Sequence, residues 1–204
     1  FRRVLFRSLA ASTKFEAKNA AELIALAKAK PGSLNYGSTG VGNPLQLTME
    51  MLKSRTGIEV LAVPYRGDAP LNAALIAGEV QVAVIPMASS VPFISAGTLK
   101  GLAVFGAKRA PALADVPTIG ETIPGFESGS WLGLFVPAGT PRDIVNRIQQ
   151  ETAAALKTPE VMNLLRTGGN EGIGSTPDEF AARFKADIEL FAKVVADAKI
   201  PKQD

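Results

Sequence analysis

The sequence predicts an α/β protein, a largely parallel sheet with helices on both faces. Three observations carry that prediction. From Leu34 to Phe105 short apolar runs alternate with helix-length segments in the order β-α-β-α-β-α-β. The runs Ile58 to Val63 and Val80 to Ile85 are almost wholly apolar, as strands covered on both faces are. The helix-length segments close on Pro31-Gly32, Gly57 and Gly78, residues that stop a helix.

Taken in order, no element is assigned to residues 1–14. FRRVLFRS lacks an initiating Met, and Val4, Leu5 and Phe6 fall short of the roughly 7–15 apolar residues of a signal peptide. A foreign or misread end is the expectation there. Asn19, with Glu22 three residues on, opens a helix through Lys30 that buries Leu23, Leu26 and Ala27. Leu34 to Tyr36 is a strand, Pro44 to Arg55 a helix, and Ile58 to Val63 a strand. Asp68 is the expected cap of a helix over Ala69 to Ala77. Val80 to Ile85 is a strand, Ser89 to Ala96 a short helix with Pro92 in its first turn, and Leu99 to Phe105 a strand.

Beyond Ala110 the texture changes. Prolines and glycines mark a long connection to Ser130, and Trp131 to Val136 reads as a strand. Three helices follow, opened by Thr140-Pro141, Thr158-Pro159 and Thr176-Pro177. Thr176 and Glu179 form a capping box, and Phe180, Phe184, Ile188, Phe191 and Val195 make an apolar stripe. Three helices and one strand have no sheet of their own. They fold over the first section, or their partner sheet is missing.

Composition limits the chemistry. The 204 residues are 47% hydrophobic and 20% charged, ordinary for a globular chain, and no apolar run approaches the roughly 20 residues of a membrane span. The net charge of +3 comes from Arg2, Arg3 and Arg7; without those three, 19 of the 22 basic residues remain to match 19 acidic ones. No basic stripe points to nucleic acid. Cysteine and histidine are both absent. That removes Ser-His-Asp and Cys-His machinery and His- or Cys-ligated zinc.

The stretch Gly37-Ser-Thr-Gly-Val-Gly-Asn-Pro44 lies between a strand and a helix. It starts like a P-loop, but Asn43 replaces the phosphate-binding lysine and Pro44 the metal-binding hydroxyl. The dinucleotide fingerprint fails at Leu45. Glycines that let backbone approach a guest, and a helix N-terminus capped by Asn43, suit an anion such as a carboxylate. Ser38, Thr39 and Asn43 add side-chain hydrogen bonds. The plainer reading is a tight turn that uses glycine for geometry alone. The turn Tyr65-Arg66-Gly67 follows the next strand at the same edge, where ligands of open sheets gather. For Arg66 the plainer reading is a solvated surface side chain.

Lys30-Pro-Gly-Ser-Leu-Asn-Tyr-Gly-Ser-Thr-Gly-Val-Gly42, Val63-Pro-Tyr-Arg-Gly-Asp-Ala-Pro70, Leu113-Ala-Asp-Val-Pro-Thr118 and Trp131-Leu-Gly-Leu-Phe-Val-Pro-Ala-Gly-Thr-Pro141 occur in that order. Together, from about residue 15 onward, they resemble the Bug-type substrate-binding proteins of tripartite tricarboxylate transporters. The resemblance implies a periplasmic-binding-protein-like (type II) architecture of two α/β lobes, with residues 1–14 not matching. Residues 15–130 would be the continuous lobe and 131–204 the C-terminal part of the other, whose N-terminal part is absent. It also implies a ligand set of Ser38, Thr39, Gly40, Gly42, Asn43, Tyr65 and Arg66. Asn43, Gln46 and Ile85 depart from the family's usual Ser or Thr, His, and Asp.

The function expected is therefore a periplasmic solute receptor without catalytic residue, metal or cofactor. Its partners would be a small carboxylate and the permease subunits of a transporter, with no nucleic acid and no membrane insertion. The hinge is expected near Ser130 to Leu134, with Trp131 in the core. Alternatives are a nucleotide- or phosphate-dependent enzyme with a degenerate glycine loop, using Ser38 or Asp68, and the ligand-sensing lobe of a regulator.

Overall fold

The computed structural model describes residues 2–5, 7–126, 128, 130–167, 170–198 and 200. Strands β1 (Arg2–Leu5) and β2 (Arg7–Ser12) precede helix α1 (Ala20–Ala29). Then come β3 (Leu34–Ser38), α2 (Pro44–Thr56), β4 (Val60–Pro64), α3 (Asp68–Ala77), β5 (Val82–Pro86), α4 (Met87–Ser95) and β6 (Leu99–Val104). A 3₁₀ turn at Pro111–Leu113 and α5 (Ile119–Thr122) lead to β7 (Ser130–Gly133), α6 (Arg142–Leu156), α7 (Pro159–Thr167), β8 (Asn170–Gly172) and α8 (Pro177–Asp197).

The main sheet is five-stranded and mixed, in the order β4-β3-β5-β2-β6. β3 runs parallel to β4 and β5, while β2 is antiparallel to both β5 and β6. Side chains alternate along β5. Val82 and Val84 join a core with Leu23, Met49 and Leu52 of α1 and α2, and Ala83 and Ile85 join an opposite core with Leu71 and Leu75 of α3. Helices cover both faces, as predicted.

β2 departs from the sequence reading, which assigns nothing before Asn19. Leu9, Ala10 and Ala11 are fully buried between two strands, where small side chains let neighbours close on both sides. Charged and hydroxyl residues around them hide the run from periodicity. β1 also gives the C-terminal section a sheet: it pairs antiparallel with β7 and β8 in the order β7-β1-β8.

Other corrections are local. β4 was expected to be buried but lies at the sheet edge, with Leu61 57% exposed. α3 is capped by Gly67, at φ 105°, and Asp68 is its first residue instead of its cap. α4 starts two residues early, at Met87, so Pro92 falls inside the helix. β7 stops at Gly133, leaving Leu134 and Phe135 exposed. Thr140 does not cap α6; its hydroxyl donates to the Pro137 carbonyl at 2.8 Å, and Pro141 takes the cap position. The other caps hold. Asn19 accepts from the Glu22 amide at 2.9 Å, and Thr176 and Glu179 exchange both capping-box bonds.

Candidate functional site

β3 is flanked by β4 on one side and β5 on the other. The helix after β3, α2, packs on one face, and the helix after β5, α4, on the other. The connections from β3 and β5 thus part to opposite faces at their carboxyl ends, the topological position at which open α/β sheets usually bind ligands. The glycine loop 39–43 follows β3, and the 65–67 turn follows β4 at the same edge. The two are joined by the Tyr65 amide, which donates to the Ser38 carbonyl at 2.7 Å.

The loop's geometry requires two of its glycines. Gly40 and Gly42 have φ of 148° and 75°, where side chains other than glycine are strained. A Cβ on Gly42 would meet nothing within 4 Å, so that position faces open space. Gly37 serves packing instead: its Cβ would lie 2.0 Å from Cδ1 of Leu71, so glycine there lets α3 seat on the sheet.

Asn43 caps α2, as expected, and the capping uses up the first amides of the helix. Asn43 Oδ1 accepts from the Leu45 and Gln46 amides, each at 2.9 Å. Gln46 Oε1 accepts from the Gly42 amide at 2.6 Å. A side-chain amide two or three positions from a helix start reaches these donors at little cost, so the loop caps itself. Ser38 Oγ donates to the Gly40 carbonyl at 3.2 Å, and Asn43 Nδ2 donates to Thr39 Oγ1 at 2.8 Å. Among the described residues, the amides of Thr39, Val41 and Asn43 keep no hydrogen-bond partner. These three, with the positive end of the α2 dipole behind them, are the donors left for an anion.

Of the predicted set, Ser38, Thr39, Gly40, Gly42 and Asn43 come together in one hydrogen-bonded loop. Ser38 is buried; Thr39, Gly40 and Asn43 are half-buried. Tyr65 is half-buried against the core under α3, and desolvation, then Glu79, holds its phenol above the ordinary value. Arg66 is exposed, with no ion pair among the described residues. Cavities of about 680, 380 and 220 Å³ lie elsewhere and the loop lines none of them. Val41 and Gly42 at its tip are exposed.

Sequence reasoning missed two features at this edge. Gln46 was noted only as a departure, yet it covers the Gly42 amide. Arg7 is 2% exposed and donates to Thr48 Oγ1 and, at 3.3 Å, to Ser128 Oγ. Its burial lowers the guanidinium to about 10, against a weaker opposite influence from Asp187. A charged residue in a short apolar run gives no sequence signal of burial. Trp131, expected in the core, is half-buried. Its Nε1 donates to Asp187 Oδ2 at 2.5 Å, and its ring stacks edge-on with Phe180, centroids 4.8 Å apart.

Among the described residues no group of carboxylates could hold a metal, and no helix is long and apolar enough to cross a membrane. With this geometry in view, the similarities to known proteins are informative. The profile of the tripartite tricarboxylate transporter family receptor matches residues 5–192, so the match takes in β2, which lies in the segment 1–14 expected not to match. The chain is 35% identical over 181 residues, 88% of its length and 54% of the other's, to the UPF0065 protein in the tcbD-tcbE intergenic region of Pseudomonas sp. (strain P51). Among solved structures it is similar to R. palustris Rpa4515 with adipate, at 34% identity and a TM-score of 0.84, covering 97% of this chain and 66% of that one. It is also similar to MatC (Rpa3494) from Rhodopseudomonas palustris with bound malate, at 26% identity and a TM-score of 0.77, covering 95% and 67%. The chain spans about half the length of the curated relatives it matches.

Proposed function

Because this chain belongs to the tripartite tricarboxylate transporter receptor family, we propose that it is the larger part of an extracytoplasmic receptor for a small carboxylate. The observation that carries the proposal is the glycine loop at the switch point of the sheet. Among the described residues its Thr39, Val41 and Asn43 amides are unpartnered, and α2 begins directly after them. A carboxylate needs such donors and neither lysine nor metal. Relatives with adipate and with malate support that ligand class.

Residues 15–130 form the continuous lobe in this reading, with β2 completing its sheet. Residues 131–204 belong to a second lobe. The exposed Leu134, Phe135 and Ile148 around α6 and α8 mark where a further apolar layer would seat. The guest would bind to the loop of one lobe, and closure of the other would bury it. Such closure follows from tighter binding by the closed state. The closed receptor, in the periplasm, would present its ligand to membrane permease subunits and perform no catalysis.

Calorimetry tests this on a version extended to the length of the relatives. Saturable binding of adipate or malate, and none of magnesium-ATP, is the expected result. Binding of the nucleotide and of no carboxylate would favour the enzyme reading and end this one.

A further inference from the structure

A cavity of about 680 Å³ lies away from the glycine loop, between the segment after β6 and the C-terminal helices. Its size falls within the roughly 300–1,000 Å³ of small-molecule sites. Leu156, Met162 and Leu165 give it apolar lining, and Lys108, Lys157 and Arg166 also line it. None of these three cations has an ion-pair partner among the described residues. Arg109, also on the wall, is held by Glu121 at 2.7 Å.

The charge balance defines the guest. Lys157 caps α6 and Arg166 lies in the last turn of α7, so each sits at a helix C-terminus worth about half a negative charge. Glu171 on the wall offsets one further cation, and Glu121 offsets Arg109. About one positive charge is left over. Apolar lining together with that surplus suits a monoanion with an apolar body. A dicarboxylate would bring a second charge into the apolar part without a partner.

We propose that this cavity is a second binding site, for an amphipathic monoanion such as an aromatic or medium-chain carboxylate or sulfonate. Its head lies among Lys108, Lys157 and Arg166, and its body on Leu156, Met162 and Leu165. Because the walls come from both the segment after β6 and from α6, α7 and β8, an occupant ties these two parts of the chain together. It thereby biases the relative position on which closure depends, at a site separate from that of the transported solute.

The 204-residue chain can be titrated with anilinonaphthalenesulfonate, a fluorescent amphipathic monoanion. One probe per chain is expected, with affinity falling about tenfold or more in Lys157→Glu/Arg166→Glu, as loss of charge-assisted contacts requires. Lys108→Glu, in an exposed loop, should weaken binding in the same direction and repeats the test away from the helix ends. Phe135→Ser, in the separate apolar groove, should leave this binding unchanged. Excess adipate should not displace the probe. Undiminished affinity in both charge-reversed variants, loss of binding in Phe135→Ser, or displacement by adipate would each overturn the assignment.

Discussion

Replacing Gly42 with leucine separates the loop's role in binding from its role in folding. At φ 75° a leucine pays the left-handed penalty of about 1–2 kcal/mol. No atom lies within 4 Å of the new Cβ, so no packing cost adds to it. For a domain of this size that is a fall in Tm of roughly 2–8 °C. The side chain would enter the open space at the loop, between the residues that carry the free Val41 and Asn43 amides. Loss of one hydrogen bond to a charged group, about 1.5–3 kcal/mol, weakens carboxylate binding about tenfold to a hundredfold. Thermal unfolding by circular dichroism gives the first number, and calorimetry with adipate on a version of the relatives' length gives the second. A normal Kd alongside the calculated drop in Tm would remove the loop from the site. A collapse of the fold would refute the open-space geometry.

Three further outcomes follow from the same coordinates. Gln46→Ala frees the Gly42 amide from its cap, so it should tighten carboxylate binding several-fold, roughly the worth of one hydrogen bond; weaker binding in calorimetry would show that Gln46 itself holds the guest. Arg7→Leu should raise stability by about 1–3 kcal/mol at neutral pH, because an arginine that burial lowers from its ordinary value to about 10 bears its desolvation cost wherever it is charged. That cost is fully present below about pH 10 and fades as pH rises from there toward the ordinary arginine value, while Thr48 and Ser128 keep their mutual 2.8 Å contact; a lower Tm for the variant would contradict it. Gly37→Ala places a Cβ 2.0 Å from Leu71 and should cost about 1–3 kcal/mol in denaturant unfolding, against almost nothing if α3 can shift freely.

What was legible in the sequence was mostly local. Caps at Asn19, Asn43 and Thr176 are written in side chains that reach only two or three residues, and all three form. The four parallel strands stand out because their apolar runs are set off by turns. Sheet order is not local. Nothing in Ile58 to Val63 says that it will be an edge, and nothing in Arg7 to Ser12 says that it will slip between β5 and β6. The site was legible as a glycine loop at a carboxyl edge. Its internal bonds were not, because Gln46 reaches Gly42 only after Gly40 and Gly42 have taken positive φ.

The claim that the loop's free amides receive a carboxylate is tested most directly by amide NMR. On titrating adipate into a version of the relatives' length, the Thr39, Val41 and Asn43 signals should shift together and saturate at the calorimetric Kd. Saturable adipate binding that leaves those three amides unmoved would contradict the account.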